Sequence, residues 1–215
     1  MAKKTGFLTD GEQEAIAAAV RRAEAGTSGE IVFSLSPASG RYRHATLLGA
    51  LCGMAVASAV FLSLPFGHSV ARLLWVEALS FAASYAAFLL PPFRRLPIAR
   101  SAMEERVREA AFVQFYAAGL HQTRESNGVE IYLSLFERMV VVIGDKGVNA
   151  KMGGRGWDEV RDAVIGGIRA GKACEGICEA VGICGRVLAE HFPPRPDDVN
   201  ELPDQVLHRG EGARR

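Results

Sequence analysis

No acidic or basic side chain occurs between Ala45 and Leu64, and only one acid, Glu77, lies between Leu73 and Leu90. Their scarcity of charge excludes an ordinary solvated helix at either place. A helix of about 20 apolar residues matches a hydrocarbon layer of roughly 30 Å. Other features are scarce too. No apolar core follows the basic start Met1-Ala2-Lys3-Lys4, so no secretory leader is expected. Net charge is only +1, and no basic stripe interleaves with aromatics, which argues against a nucleic-acid partner. The 4 cysteines form no C-x-x-C pair. Cys52 lies within the first apolar run, while Cys174, Cys178 and Cys184 fall on an Ala, Ile and Val-rich helix. They read as free thiols in a reducing compartment. There is no Gly-x-Ser-x-Gly elbow and no Walker sequence, and the 5 histidines are scattered without ligand spacing.

What is present is a membrane hairpin inserted in a soluble domain. The two apolar runs, about 45–64 and 70–90 once Val70, Ala71 and a snorkelling Arg72 are included, are joined by Pro65-Phe66-Gly67-His68-Ser69. Arg41 and Arg43 precede the first run, and Arg94, Arg95 and Arg100 follow the second. Basic flanks stay in the cytoplasm. The expected topology is a multi-pass protein of the bacterial inner membrane with both termini cytoplasmic, its first partner being the lipid bilayer. Gly49, Gly53 and Ala57, and likewise Ala78, Ala82 and Ala86, repeat every fourth residue. Such small faces seal a hairpin or hold a second membrane protein, including another copy of this chain. Glu77 is expected to snorkel or to pair with Arg72, and two spans are too few for a transporter.

The soluble segments alternate helix and strand. Thr9 and Asp10 are cap residues for a helix running to about Ala25. Glu30 to Ser36 alternates polar and apolar, as a half-buried strand does. Beyond Pro91-Pro92 and Pro97, Met103 to about His121 is helical. Val129 to Phe136 and Met139 to Ile143 read as two strands joined by a two-residue turn, Glu137-Arg138. Gly144 to Gly156 reads as a loop, in which Lys151 to Gly156 could cradle a phosphate ahead of the next helix. Trp157 to Ala170 and Lys172 to His191 follow as helices. The expected fold class is α/β, a small mixed sheet with flanking helices, plus the two-helix transmembrane hairpin. Its parts are residues 1–40, the hairpin 41–97, the rest of the soluble domain 98–192, and a flexible tail 193–215.

Ser28-Gly29-Glu30-Ile31-Val32-Phe33 resembles the first strand of the TPM domain family. Asn127 to Arg138 resembles its central hairpin, and Val140 to Val148 the strand and loop that follow. His191-Phe192-Pro193 and Asn200-Glu201-Leu202-Pro203-Asp204 resemble the end of a bacterial membrane-anchored branch. The resemblance covers most of the soluble chain. It implies an α/β sandwich and a role in membrane-complex assembly, maintenance or receptor modulation. Some members of the family resemble acid phosphatases or bind divalent cations. Two features depart from many members: no leader is expected here, and the domain is split by the hairpin.

Strand register suggests one candidate site. A two-residue turn at Glu137-Arg138 would pair Phe136 with Met139 and set Glu130 opposite Asp145. A parallel first strand, aligned on its Gly-Glu-Ile start, would bring Glu30 beside Glu130. Three carboxylates at one sheet end repel, and a hard cation such as Ca²⁺ or Mg²⁺ would neutralise them. Glu30, Glu130 and Asp145 are thus the candidate metal ligands. The main expectation is an inner-membrane interaction domain; the alternative is a divalent-cation-dependent phosphatase.

Overall fold

The structure is a computed structural model that describes residues 6–65, 69–152, 157–195, 201–202 and 204–208. It divides into two compact units, Met1–Ser39 with Arg106–Arg215, and Gly40–Glu105.

The first unit is a mixed α/β domain around a four-stranded sheet. Helix α1 (Asp10–Glu24) starts at a complete capping box. Thr9 accepts the Glu12 backbone N–H, and the Glu12 carboxylate accepts the Thr9 N–H at 2.7 Å. Strands β1 (Ile31–Ser36), β2 (Val129–Ser134), β3 (Met139–Gly144) and β4 (Leu207–His208) are ordered β3-β2-β1-β4. β1 runs parallel to both β2 and β4, while β2 and β3 are antiparallel.

Alternation assigns the two sheet faces. Ile31, Phe33 and Leu35 join Val129, Ile131 and Leu133 in the main core, packed with Ile16 and Val20 of α1. Helices α7 (Trp157–Arg169) and α8 (Ala173–His191) complete that layer with Val160, Val164, Ile177, Val181 and Leu188. The opposite face is covered by α5 (Arg100–Ala117), whose Val107, Ala110 and Ala111 pack on Tyr132. Phe115 and Leu120 pack there on Val32 and Leu207. This second face also carries Ser34, Glu130 and Ser134, all fully buried. Its polar content is the unusual feature of the sheet, because a buried polar group is costly unless it is hydrogen-bonded.

The second unit holds α2 (Arg43–Ser63) and α3 (Val70–Phe88), both long and apolar enough to cross a membrane, and the short α4 (Pro91–Arg94). Gly49 faces Phe88 and Gly53 faces Ser84 so closely that a methyl group at either glycine would overlap its neighbour. Thr46 donates to the Phe88 carbonyl at 3.4 Å, so the two ends of the hairpin meet. Ala78, Ala82 and Ala86 are exposed, so the second small stripe faces away from α2. Arg72 donates to the Ser69 hydroxyl at 3.2 Å, and no Arg72–Glu77 ion pair occurs among the described residues. Residues 66–68 of the expected joint lie outside the described residues.

Three expectations are corrected. The hairpin pairs Ser134 with Met139, so Leu135 to Arg138 form a four-residue loop in place of a two-residue turn. Two physical demands set this length. Glu137 is drawn into the protein, 1% exposed, and Arg138 takes a left-handed φ of 55° to close the loop. Second, Lys146–Met152 forms helix α6 where a glycine loop was expected. Asp145 starts it, its carbonyl accepting the Asn149 N–H at 2.9 Å. Third, the tail is not wholly loose. Val206 and Leu207 are buried, and Leu207 and His208 pair with Ser34 and Leu35 at the β1 edge. Polar neighbours such as Asp204 and Gln205 hid this short apolar pair in the sequence.

Candidate functional site

The three expected ligands go to three separate places. β1 pairs Ile31 with Val129, so Glu30 lies two places from the expected register, level with Gly128. Glu130 pairs with Ile143, not Asp145. Asp145 turns to α6, where its Oδ1 accepts the Lys146 N–H at 2.7 Å. Among the described residues, no group of three or more His, Cys, Asp or Glu side chains is placed to hold a metal ion. Gly153 to Gly156 of the expected phosphate cradle lie outside the described residues. Lys151, beside them, donates to the His191 carbonyl at 2.7 Å and stacks 3.9 Å over the Phe192 ring.

Glu30 instead lines a cleft of about 250 Å³ with Arg21 and Glu24 of α1, Thr27, and Asp204 of the tail. Glu30 accepts the Glu201 N–H at 3.1 Å, and Glu24 accepts the Ile31 N–H at 2.8 Å. Burial pushes the Glu24 carboxyl up to about 8, against the pull of the Ile31 N–H; Glu30 and Asp204 push in the same direction as burial. A protonated Glu24 can donate to Asp204, which lets two acids sit side by side. Sequence reasoning missed Glu24 and Asp204, since they meet only through the tail.

The second polar centre lies under α5. Glu130 is fully buried, and burial pushes its carboxyl up to about 8, with the Ser34 hydroxyl acting in the opposite direction. Neither Glu130 oxygen meets hydrogen-bond geometry with a partner among the described residues. Burial thus favours its protonated, neutral form. Further along the same face, Glu137 is held quite differently. Its two oxygens accept the Ser39 N–H at 3.0 and 3.2 Å, and Ser134 donates to it as well. The Ser39 hydroxyl donates to Ser134 at 2.8 Å and lies 3.1 Å from the Tyr132 hydroxyl. All four residues are buried, so this network locks the chain where β1 ends to the β2–β3 loop. Its donors are those of a structural clasp. The one sequence signal for Glu137 was its place in a turn that lacks ordinary turn chemistry.

These two centres sit in a fold with a known counterpart. The chain is similar to the NMR structure of the BA42 protein from the psychrophilic bacterium Bizionia argentinensis. The TM-score is 0.59 and the identity 24%, over 97% of this chain and 99% of that one. At that identity the likeness shows the fold alone. No family model matches the chain. No curated protein matches it either.

Proposed function

We propose that the protein is an integral inner-membrane protein whose α/β unit is a TPM-like domain in the cytosol, serving the interaction, assembly or maintenance of a membrane complex. The observation that carries this reading is the surface of the hairpin. α3 has no buried residue, and Val70, Trp75 and Leu79 are 76, 69 and 64% exposed. Soluble proteins rarely leave so continuous an apolar surface in water; a bilayer removes the cost. The basic flanks Arg41, Arg43, Arg94 and Arg95 support cytosolic ends. The small mixed sheet with flanking helices, which is what the resemblance in Ser28–Phe33 and Asn127–Arg138 implies, supports the TPM-like assignment. Among the described residues the three candidate ligands lie apart, so the interaction role, rather than the alternative of a divalent-cation-dependent phosphatase, is the one we carry forward.

Membrane fractionation with carbonate washing tests the anchoring. Reporter fusions after Arg215 and within the 65–69 joint test the topology. The protein should stay in the washed membrane, and the two fusions should report opposite compartments. A protein released by carbonate, or a periplasmic C-terminus, would overturn the reading.

A further inference from the structure

α1 separates two surfaces of opposite character. One side lines the acidic cleft. The other side, with α8, lines a groove of about 370 Å³ that includes Arg22, Ala23, Cys178, Gly182, Gly185 and Arg186. No carboxylate lines this groove. Neither arginine is ion-paired among the described residues, whereas adjacent Arg21 is held by Glu14 at 2.8 Å. The floor is low for a steric reason. A side chain at Gly185 would collide with Ala23, so α1 and α8 touch there almost backbone to backbone. Gly182 is open, and the nearest atom to an added Cβ is Nη1 of Arg186, at 3.9 Å. The Arg186 guanidinium is thus folded back over the groove. The Cys178 thiol donates to the Ala15 carbonyl at 3.8 Å.

We propose that the α1–α8 groove is a binding site for a phosphate monoester carrying a compact apolar body, clamped between Arg22 and Arg186. Two like charges beside one cavity are relieved by an anion. The planar guanidinium fork matches phosphate oxygens in paired hydrogen bonds, which a point charge cannot do. The cavity is within the ordinary small-molecule range of roughly 300–1,000 Å³. Its floor of glycine, alanine and thiol accepts an apolar body without requiring further polar partners. A soluble phosphate ester and the headgroup of an anionic lipid such as phosphatidate share this chemistry.

Full-length protein in detergent is titrated with phenyl phosphate by calorimetry, with phenol as the uncharged comparator. Phenyl phosphate should bind saturably and phenol should not. Arg22→Gln and Arg186→Gln should each weaken binding about tenfold, the loss of roughly one charge-assisted contact. Gly182→Leu should fill the groove and abolish binding while leaving the melting temperature unchanged or higher, since leucine favours a helix interior over glycine. Inorganic phosphate and dioctanoyl phosphatidate are then run as competitors. Displacement by either supports the site and identifies whether its occupant is a free phosphate or a lipid. Absence of saturable phenyl phosphate binding, or binding that survives both arginine substitutions or Gly182→Leu, would overturn the proposal.

Discussion

Replacing Glu130 with glutamine should make the protein more stable in mild alkali than the wild type, and hardly different in mild acid. Glu130 has no exposed surface, and its carboxyl is pushed up to about 8 by burial. In the unfolded chain it titrates near the ordinary 4.5. Below the unfolded value both states hold the proton and stability is complete. As pH rises from there, the unfolded chain releases a proton that the folded protein keeps. Folding therefore binds protons, and stability falls until the folded carboxyl itself ionises. The steepest loss is about 1.4 kcal/mol per pH unit for one such group. Glu24, also raised to about 8, adds a second contribution of the same sign. Across the whole window each group accounts for a loss of a few kcal/mol.

Glutamine keeps the shape and cannot ionise, so Glu130→Gln removes one of the two slopes. The assay is urea unfolding of the detergent-solubilised protein from pH 5 to 9, read by Trp157 fluorescence with Trp75 replaced by phenylalanine. The wild-type curve should fall with pH about twice as steeply as the variant curve, and the two should cross or diverge in favour of glutamine towards pH 8. Parallel curves would show that folded Glu130 is already ionised at neutral pH, and would refute the neutral-acid account of the face beneath α5.

Other perturbations follow from the same geometry. Glu137→Ala should cost about 2–4 kcal/mol in the same urea assay, because it strands the buried Ser39 N–H and Ser134 hydroxyl. Gly53→Val should loosen the α2–α3 pair and lower its thermal stability in detergent, whereas Ala82→Val on the outward stripe should change it little. Leu207→Ala should cost about 2–3 kcal/mol and expose the β1 edge to amide hydrogen exchange, since Leu207 both packs on Val32 and Phe115 and pairs with Ser34.

The elements were more legible in the sequence than their registers. The Thr9 cap, the alternation in Val129 to Ser134 and the glycines that pack α2 on α3 are local patterns, and each appears where the pattern puts it. The candidate site was not legible, because it depended on counting residues across a turn. One buried carboxylate decided that count. Glu137 has the composition of a surface turn, yet its partners, Ser39 and Ser134, make it more stable inside. Accommodating it lengthened the loop and moved Glu130 two places from Asp145. Glu24 and Asp204 were invisible for a related reason. They are brought together by β4, a two-residue strand whose buried Leu207 sits in an otherwise polar tail.

The insertion itself has a thermodynamic rationale. β1 and β2 are parallel neighbours, so the chain must cross over between Ser36 and Val129. A flexible connection of that length would cost loop-closure entropy, although the cost grows only with the logarithm of length. Here the connection is not flexible. Gly49 and Gly53 let α2 and α3 pack closely, and Thr46 meets the Phe88 carbonyl, so the hairpin returns the chain near its point of departure. At the β1 end, Ser39 is fixed by Glu137 before the hairpin begins. The crossover is therefore anchored by buried hydrogen bonds at its start and shortened by helix packing in its middle. This arrangement lets a sheet place its two central strands side by side while the chain between them forms a packed pair of helices long and apolar enough to cross a membrane. It also predicts an asymmetry: weakening the Ser39–Glu137 clasp should free the start of the crossover, whereas Thr9→Ala at the far helix cap should cost only about 1 kcal/mol and leave it fixed. Hydrogen exchange at the Ser39 amide separates the two cases, and equal protection in Glu137→Ala and Thr9→Ala would refute the clasp.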